Sequence, residues 1–210
     1  MKLSPDRARR ALVVVAAIAL ASCSVTRPSP VKQTFLLDPP MPAAVAKGQP
    51  SSLRMGTVNV GAPFRGRSFV SREGELRYEN DFYNEFLVPP ASMIGELTGR
   101  ALERAKAFAL VAPANSNADA DWILDGFVTS LYADAREAAK MYADVDITYY
   151  LFRSDGTSGL PVWTQTYRQR APLSGNTAQA YASALNVALG AVFADLARDL
   201  AAANLPAVKR

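Results

Sequence analysis

Residues 141–152, Met-Tyr-Ala-Asp-Val-Asp-Ile-Thr-Tyr-Tyr-Leu-Phe, decide the fold. Met141, Ala143, Val145, Ile147, Tyr149 and Leu151 alternate with Tyr142, Asp144, Asp146, Thr148 and Tyr150. A strict period of two over this length is a strand with one face on a core and one face wetter. The turn at 153–159 holds Asp-Gly and Ser-Gly, so a strand at 161–170 is expected to pair back against it. Trp122–Asp134 reads as a strand just upstream.

Further out, short strands are expected at 34–37, 53–60 and 108–111. A hairpin is expected from 68–72 and 75–78 across Glu73-Gly74. Pro89-Pro90 opens a helix to about residue 107, since proline in a first turn loses no hydrogen bond. Its stripe is Met93, Ile94, Leu97, Ala101, Ala105 and Phe108, with Glu96 and Arg100 on the other side. The last helix starts at Gly175-Asn176-Thr177, with Asn176 or Thr177 as N-cap. Its stripe is Tyr181, Leu185, Leu189, Val192, Phe193, Leu196 and Leu200. Residues 171–194 carry no charge. The Pro, Gly, Asn, Gln, Thr and Ser among them favour an amphipathic helix docked on the sheet over a membrane span. Strands, helix, strands, helix predicts an α+β fold, a central antiparallel or mixed sheet with two main helices packed on it.

The N-terminus has a different character. Lys2, Arg7, Arg9 and Arg10 precede an uncharged apolar run at 11–21, closed by Leu20-Ala21-Ser22-Cys23. This is the pattern of a secretory signal. Cys23 is the one cysteine of the chain, placed where small residues precede a cut. The arrangement is similar to the bacterial lipoprotein box, which implies that Cys23 is acylated and becomes the new N-terminus. Residues 1–22 then form the signal peptide, 23–33 a lipidated tether, and 34–210 one domain. The tether reaches roughly 30 Å at most. Several acyl chains on one residue suffice for stable anchoring without a membrane span.

Composition excludes several classes of function. The chain has 23 basic and 19 acidic residues, a net charge of +4. The first 22 residues hold four basic and one acidic, so the remainder is close to neutral. No basic surface for nucleic acid survives that subtraction. The chain has no histidine, which removes Ser-His-Asp and Cys-His sites and the usual zinc ligand sets. It also lacks a Walker-type phosphate loop and a Gly-x-Ser-x-Gly elbow. Asn115, Asn117, Asp119 and Asp121 alternate like calcium ligands, but the Gly and final Glu of that loop are missing. Asp144 and Asp146 share one strand face and read as solvent-facing. No enzyme, cofactor or metal is expected. Tyr78, Phe82, Tyr83 and Phe86, interleaved with Glu79, Asp81 and Glu85, are the candidate partner-binding residues. They fit a docking patch, a lipid-facing lip, or plain packing of the segment on the sheet.

Five stretches, in order, carry a family likeness. They are Cys23 followed by Thr34-Phe35-Leu36-Leu37-Asp38; residues 53–63; Phe69-Val70-Ser71-Arg72 with Glu75-Leu76-Arg77-Tyr78; the run from Asp81 to Pro90; and Asp121-Trp122-Ile123-Leu124-Asp125-Gly126. The chain resembles the ABC-type transport auxiliary lipoprotein family, the paraquat-inducible protein C-like components of MCE lipid transport systems. Where that family commonly has tryptophan-alanine-x-proline-leucine, this chain has Phe82, Tyr83 and Phe86. The resemblance implies a non-enzymatic accessory at the outer membrane, facing the periplasm, with an MCE-domain protein as partner. Phospholipid as cargo and a homo-oligomeric assembly are compatible with it. Ser24 after the cysteine, rather than aspartate, resembles outer-membrane sorting. A structural or assembly lipoprotein of the envelope is the alternative.

Changing Cys23 to Ala is expected to abolish incorporation of labelled fatty acid and leave an uncleaved or soluble chain. Label retained on that variant, read by autoradiography, contradicts the assignment.

Overall fold

The alternation at 141–152 becomes the middle rung of a long antiparallel ladder. The computed structural model describes residues 31–155 and 159–207. The signal, Cys23 and the tether up to residue 30 lie outside the described residues, as do 156–158 of the expected turn. In chain order the strands are β1 (Gln33–Phe35), β2 (Gln49–Val60), β3 (Ser68–Arg72), β4 (Tyr78–Phe86), β5 (Phe108–Ala112), β6 (Trp122–Asp134), β7 (Tyr142–Arg153) and β8 (Trp163–Pro172). Helix α1 is Pro90–Arg104 and α2 is Ala178–Ala202, with a 3-10 turn at Ala62–Phe64.

The eight strands form one mixed sheet. β6 pairs antiparallel with β7 from Trp122↔Arg153 to Asp134↔Tyr142, and β7 pairs antiparallel with β8. The other edge of β6 is shared. Its first half takes β2 in parallel and its last residues take β3 in parallel. β5 lies parallel outside β2. β4 lies antiparallel outside β3, and β1 parallel outside β4.

Both helices cover one face. Ala143, Val145, Ile147, Tyr149 and Leu151 are all buried there, and the residues between them are half-buried on the other face. The expected stripes of α1 and α2 are buried throughout. Three polar links dock them. Tyr149 Oη and Thr98 Oγ1 of α1 lie 2.8 Å apart, and Thr98 Oγ1 donates to Ile94 O. Tyr167 Oη donates to Asp199 Oδ2 of α2 at 3.0 Å, and Gln169 Nε2 to Asp195 Oδ2 at 3.0 Å. Helix α2 is long and apolar enough to cross a membrane by composition, but two-thirds of its apolar stretch is buried against the domain. Thr177 is its N-cap, accepting from Ala180 N.

Three expectations shift. β2 begins at Gln49 rather than residue 53, although Pro50-Ser51-Ser52 reads as loop. The parallel partner β5 supplies backbone bonds there, and Gln49 Nε2 donates to the carbonyls of Leu200, Ala201 and Ala203 at the end of α2. The return strand of the hairpin is not 75–78 but Tyr78–Phe86, after a turn in which Glu73 N and Gly74 N donate to Arg77 O. Helix α1 ends at Arg104. Lys106, at φ 53°, sits in the left-handed region, with its N–H on Glu103 O and that of Ala107 on Leu102 O. That is a Schellman cap with lysine at the position glycine prefers.

Lys106→Gly should therefore stabilise the domain by about 1 kcal/mol, because glycine adopts the left-handed region without steric cost. A melting temperature equal to or below the parent's refutes that reading of the cap.

Candidate functional site

The aromatic segment is built on an irregular strand. Between the pairs Ser68↔Glu85 and Val70↔Asn80, the four residues 81–84 of β4 face the single residue Phe69. Asp81 holds this bulge. Its Oδ1 accepts from Tyr83 N at 2.8 Å and Asn84 N at 2.9 Å, and its Oδ2 from Asn84 Nδ2 at 2.7 Å. A carboxylate thereby takes two amides of the irregular segment, and the bulge re-aims the side chains it carries. Phe82 is 71% exposed and Tyr83 41%, their rings 5.1 Å apart and nearly perpendicular. Lys32 Nζ lies 5.0 Å over the Phe82 ring. Lys32 and Arg67 both pair with Glu85.

The structure separates the four aromatic candidates. Phe86 is 2% exposed, its ring 4.7 Å from Phe69, which stacks edge-on with Tyr181 of α2 at 5.0 Å. It belongs to the core and is no surface contact; its position at the end of β4 turns it under the sheet. Tyr78 packs on Tyr132 at 5.5 Å and Phe64 at 6.2 Å, beneath the Arg72 guanidinium. Its ring thus joins a three-ring cluster with Tyr132 and with Phe64 of the 3-10 turn. Tyr78 is as exposed as Tyr83, at 41%, but its ring packs within that cluster, whereas Phe82 and Tyr83 pack on each other. Sequence reasoning missed Asp81 as the residue that holds them. Asp and Asn in a strand interior, as in Asp81-Phe82-Tyr83-Asn84, are the available signal for such a bulge.

Several carboxylates elsewhere are paired, although Asp146 Oδ1 is buried without a hydrogen-bond partner. Asp144 pairs with Arg170 and Asp146 with Arg168, each at 2.9 Å across the β7–β8 ladder. Asp121 Oδ2 accepts from Ser52 N at 2.8 Å and Ser52 Oγ at 2.9 Å, tying β2 to the start of β6. Asp134 is buried between Arg136, which donates from Nε at 2.9 Å and Nη2 at 2.7 Å, and Arg170 at 2.6 Å. The Arg136 hydrogen bonds, against the cost of burial, lower its pKa to about 2. A groove of about 820 Å³ runs between α1 and β2, past Met55, Val58, Gly95, Gly99 and Val111, with Glu96 and Arg100 along it. Among the described residues no group of three or more His, Cys, Asp or Glu side chains could hold a metal.

This arrangement is an α+β domain with a mixed eight-stranded sheet, one helical layer and an aromatic bulge near its N-terminal strand. The chain belongs to the ABC-type transport auxiliary lipoprotein component family, whose model matches residues 35–197. That span runs from β1 into the last turns of α2. The family is one of envelope lipoproteins serving ABC transport and is not a class of enzymes. No curated protein matches the chain. Among solved structures, a Xanthomonas campestris protein of family DUF330 is 18% identical over 80% of this chain and 95% of its own, with a TM-score of 0.70. An uncharacterised protein is 12% identical over 81% of this chain and 99% of its own, with a TM-score of 0.60. These likenesses concern the fold alone.

The depressed pKa of Asp134 has a pH consequence. Its contribution is fully present above the ordinary carboxylate value of 3.8 and is lost as pH falls towards about 2. Asp134→Asn should melt below the parent at pH 6, with the two melting curves converging as pH approaches 2. A gap that stays constant with pH contradicts this.

Proposed function

We propose that the protein is a lipid-anchored accessory of an ABC/MCE-type transport system. Cys23 carries the anchor at the outer membrane, and the domain faces the periplasm and helps move lipid between the two membranes. The observation that carries this reading is a family match across nearly the whole folded unit, behind a lipobox-like Cys23. The side chains support it. Asp144, Asp146 and Asp134 are tied to arginines rather than poised in a cleft, which suits a protein that binds and positions rather than one that catalyses.

Its partner on this reading is the periplasmic part of an MCE-domain protein. The acylated full-length chain, purified in detergent, should bind that partner at micromolar or tighter affinity, measured by biolayer interferometry. Absence of binding by the intact, acylated chain moves the assignment to a structural or assembly lipoprotein.

A further inference from the structure

The bulge in β4 is built to display, and it stands where the chain enters the fold. Lys32 begins the folded unit, opposite Tyr83 if the β1–β4 register is extended by one position, and places its amine over Phe82. Only eight residues lie between Cys23 and Lys32. At about 3.3 Å per residue, Lys32 stays within roughly 30 Å of any bilayer that holds acyl chains on Cys23. Phe82 is the most exposed aromatic ring among the described residues. Further along the same strand pair, Leu36 is 63% and Leu87 is 47% exposed. The Asp81 carboxylate is turned onto backbone amides, and Glu85 is matched by Lys32 and Arg67.

Exposed aromatic rings beside a lysine suit the boundary between headgroups and acyl chains. The rings leave water there while the amine stays at the polar level. We propose that the Phe82–Tyr83 pair seats in the headgroup layer of the bilayer that carries the Cys23 anchor, giving the domain a second contact and a fixed orientation. This rests on the lipid-anchor reading of Cys23. The rings are too few to hold the protein to the membrane alone; they act on a domain the acyl chains have already brought there.

The test exploits the single cysteine. With the Cys23 thiol acylated, a thiol introduced at Phe82→Cys is the one site for an environment-sensitive NBD fluorophore. Tyr83→Cys provides a second position on the bulge. Leu110→Cys, half-exposed on β5 at the opposite end of the sheet order, provides the control. Full-length acylated chains are reconstituted into phosphatidylethanolamine–phosphatidylglycerol vesicles, and acylation is confirmed by mass spectrometry. Emission at 82 or 83 should rise about twofold or more over the detergent-free soluble form and be quenched by doxyl-labelled lipid, with Leu110→Cys unchanged. Emission at both bulge positions that stays at its aqueous value on acylated, vesicle-bound protein overturns the proposal. A rise that appears only on adding the MCE partner overturns it in favour of a protein interface. Unmodified Cys23 in the mature protein overturns the anchor reading, and this proposal with it.

Discussion

Strand β6 is paired on both edges, one along its whole length and the other at its two ends, and the sheet is organised by how those edges are divided. One edge belongs to β7 from end to end. The other cannot belong to a single strand, because β2 leaves it at Val60 and β3 joins it only at Ser71. The chain crosses this gap through Gly61, whose N–H donates to Val128 O at 2.9 Å, and through the turn that buries Phe64. The sheet therefore forks at β6. One branch, β2 and β5, supports α1; the other, β3, β4 and β1, carries the aromatic bulge away from the helical layer's centre. β7 and β8 form the platform for α2.

The two faces of the sheet are managed by different physics. On the covered face, Gly126 leaves room for the Tyr149 ring, 3.2 Å from where a Cβ would stand, and that ring reaches Thr98 of α1. A buried hydroxyl with a partner costs little, and an unpartnered one costs about 1–3 kcal/mol, so this contact sets where α1 can sit. On the open face, Thr148 and Thr166 bond at 2.8 Å beside the Asp144–Arg170 and Asp146–Arg168 pairs. Exposed cross-strand pairs of this kind contribute only tenths of a kcal/mol each. Their effect is to keep a broad sheet face compatible with water.

Carboxylates also shape the backbone. Asp125 Oδ1 accepts from Thr57 N at 2.8 Å where β2 shifts register, and a Cβ at Gly56 would lie 1.9 Å from the same oxygen, so a side chain there would displace the carboxylate. Asp81 does the corresponding work in β4. In one case the bulge bends a core strand; in the other it presents two rings to solvent. The same chemical device serves packing and display, and only its position in the sheet distinguishes them.

Periodicity made much of this legible. The alternation at 141–152, the stripes of α1 and α2, and the limits of β6 at Trp122 and Asp134 follow from local pattern, because burial of one face imposes a period of two or of 3.6 on the residues that face it. Local pattern narrows the cap of α2 to Asn176 or Thr177, and the fold uses Thr177. A mixed or antiparallel sheet with two helices was also legible, since element order limits how layers can stack. Strand neighbours were not. That β2 and β3 divide one edge of β6 depends on pairings across some 60 residues, which leave no local mark. The start of β2 at Gln49 depends in the same way on β5 and on the end of α2. The aromatic segment 78–86 shows the limit most plainly. Four rings at close spacing look alike in the chain, yet Phe86 is buried on Phe69, Tyr78 packs on Tyr132, and Phe82 and Tyr83 stand on the bulge that Asp81 holds. Its carboxylate holds the bulge by accepting from Tyr83 N and Asn84 N, and only the tertiary register of β3 against β4 reveals that the strand bulges there.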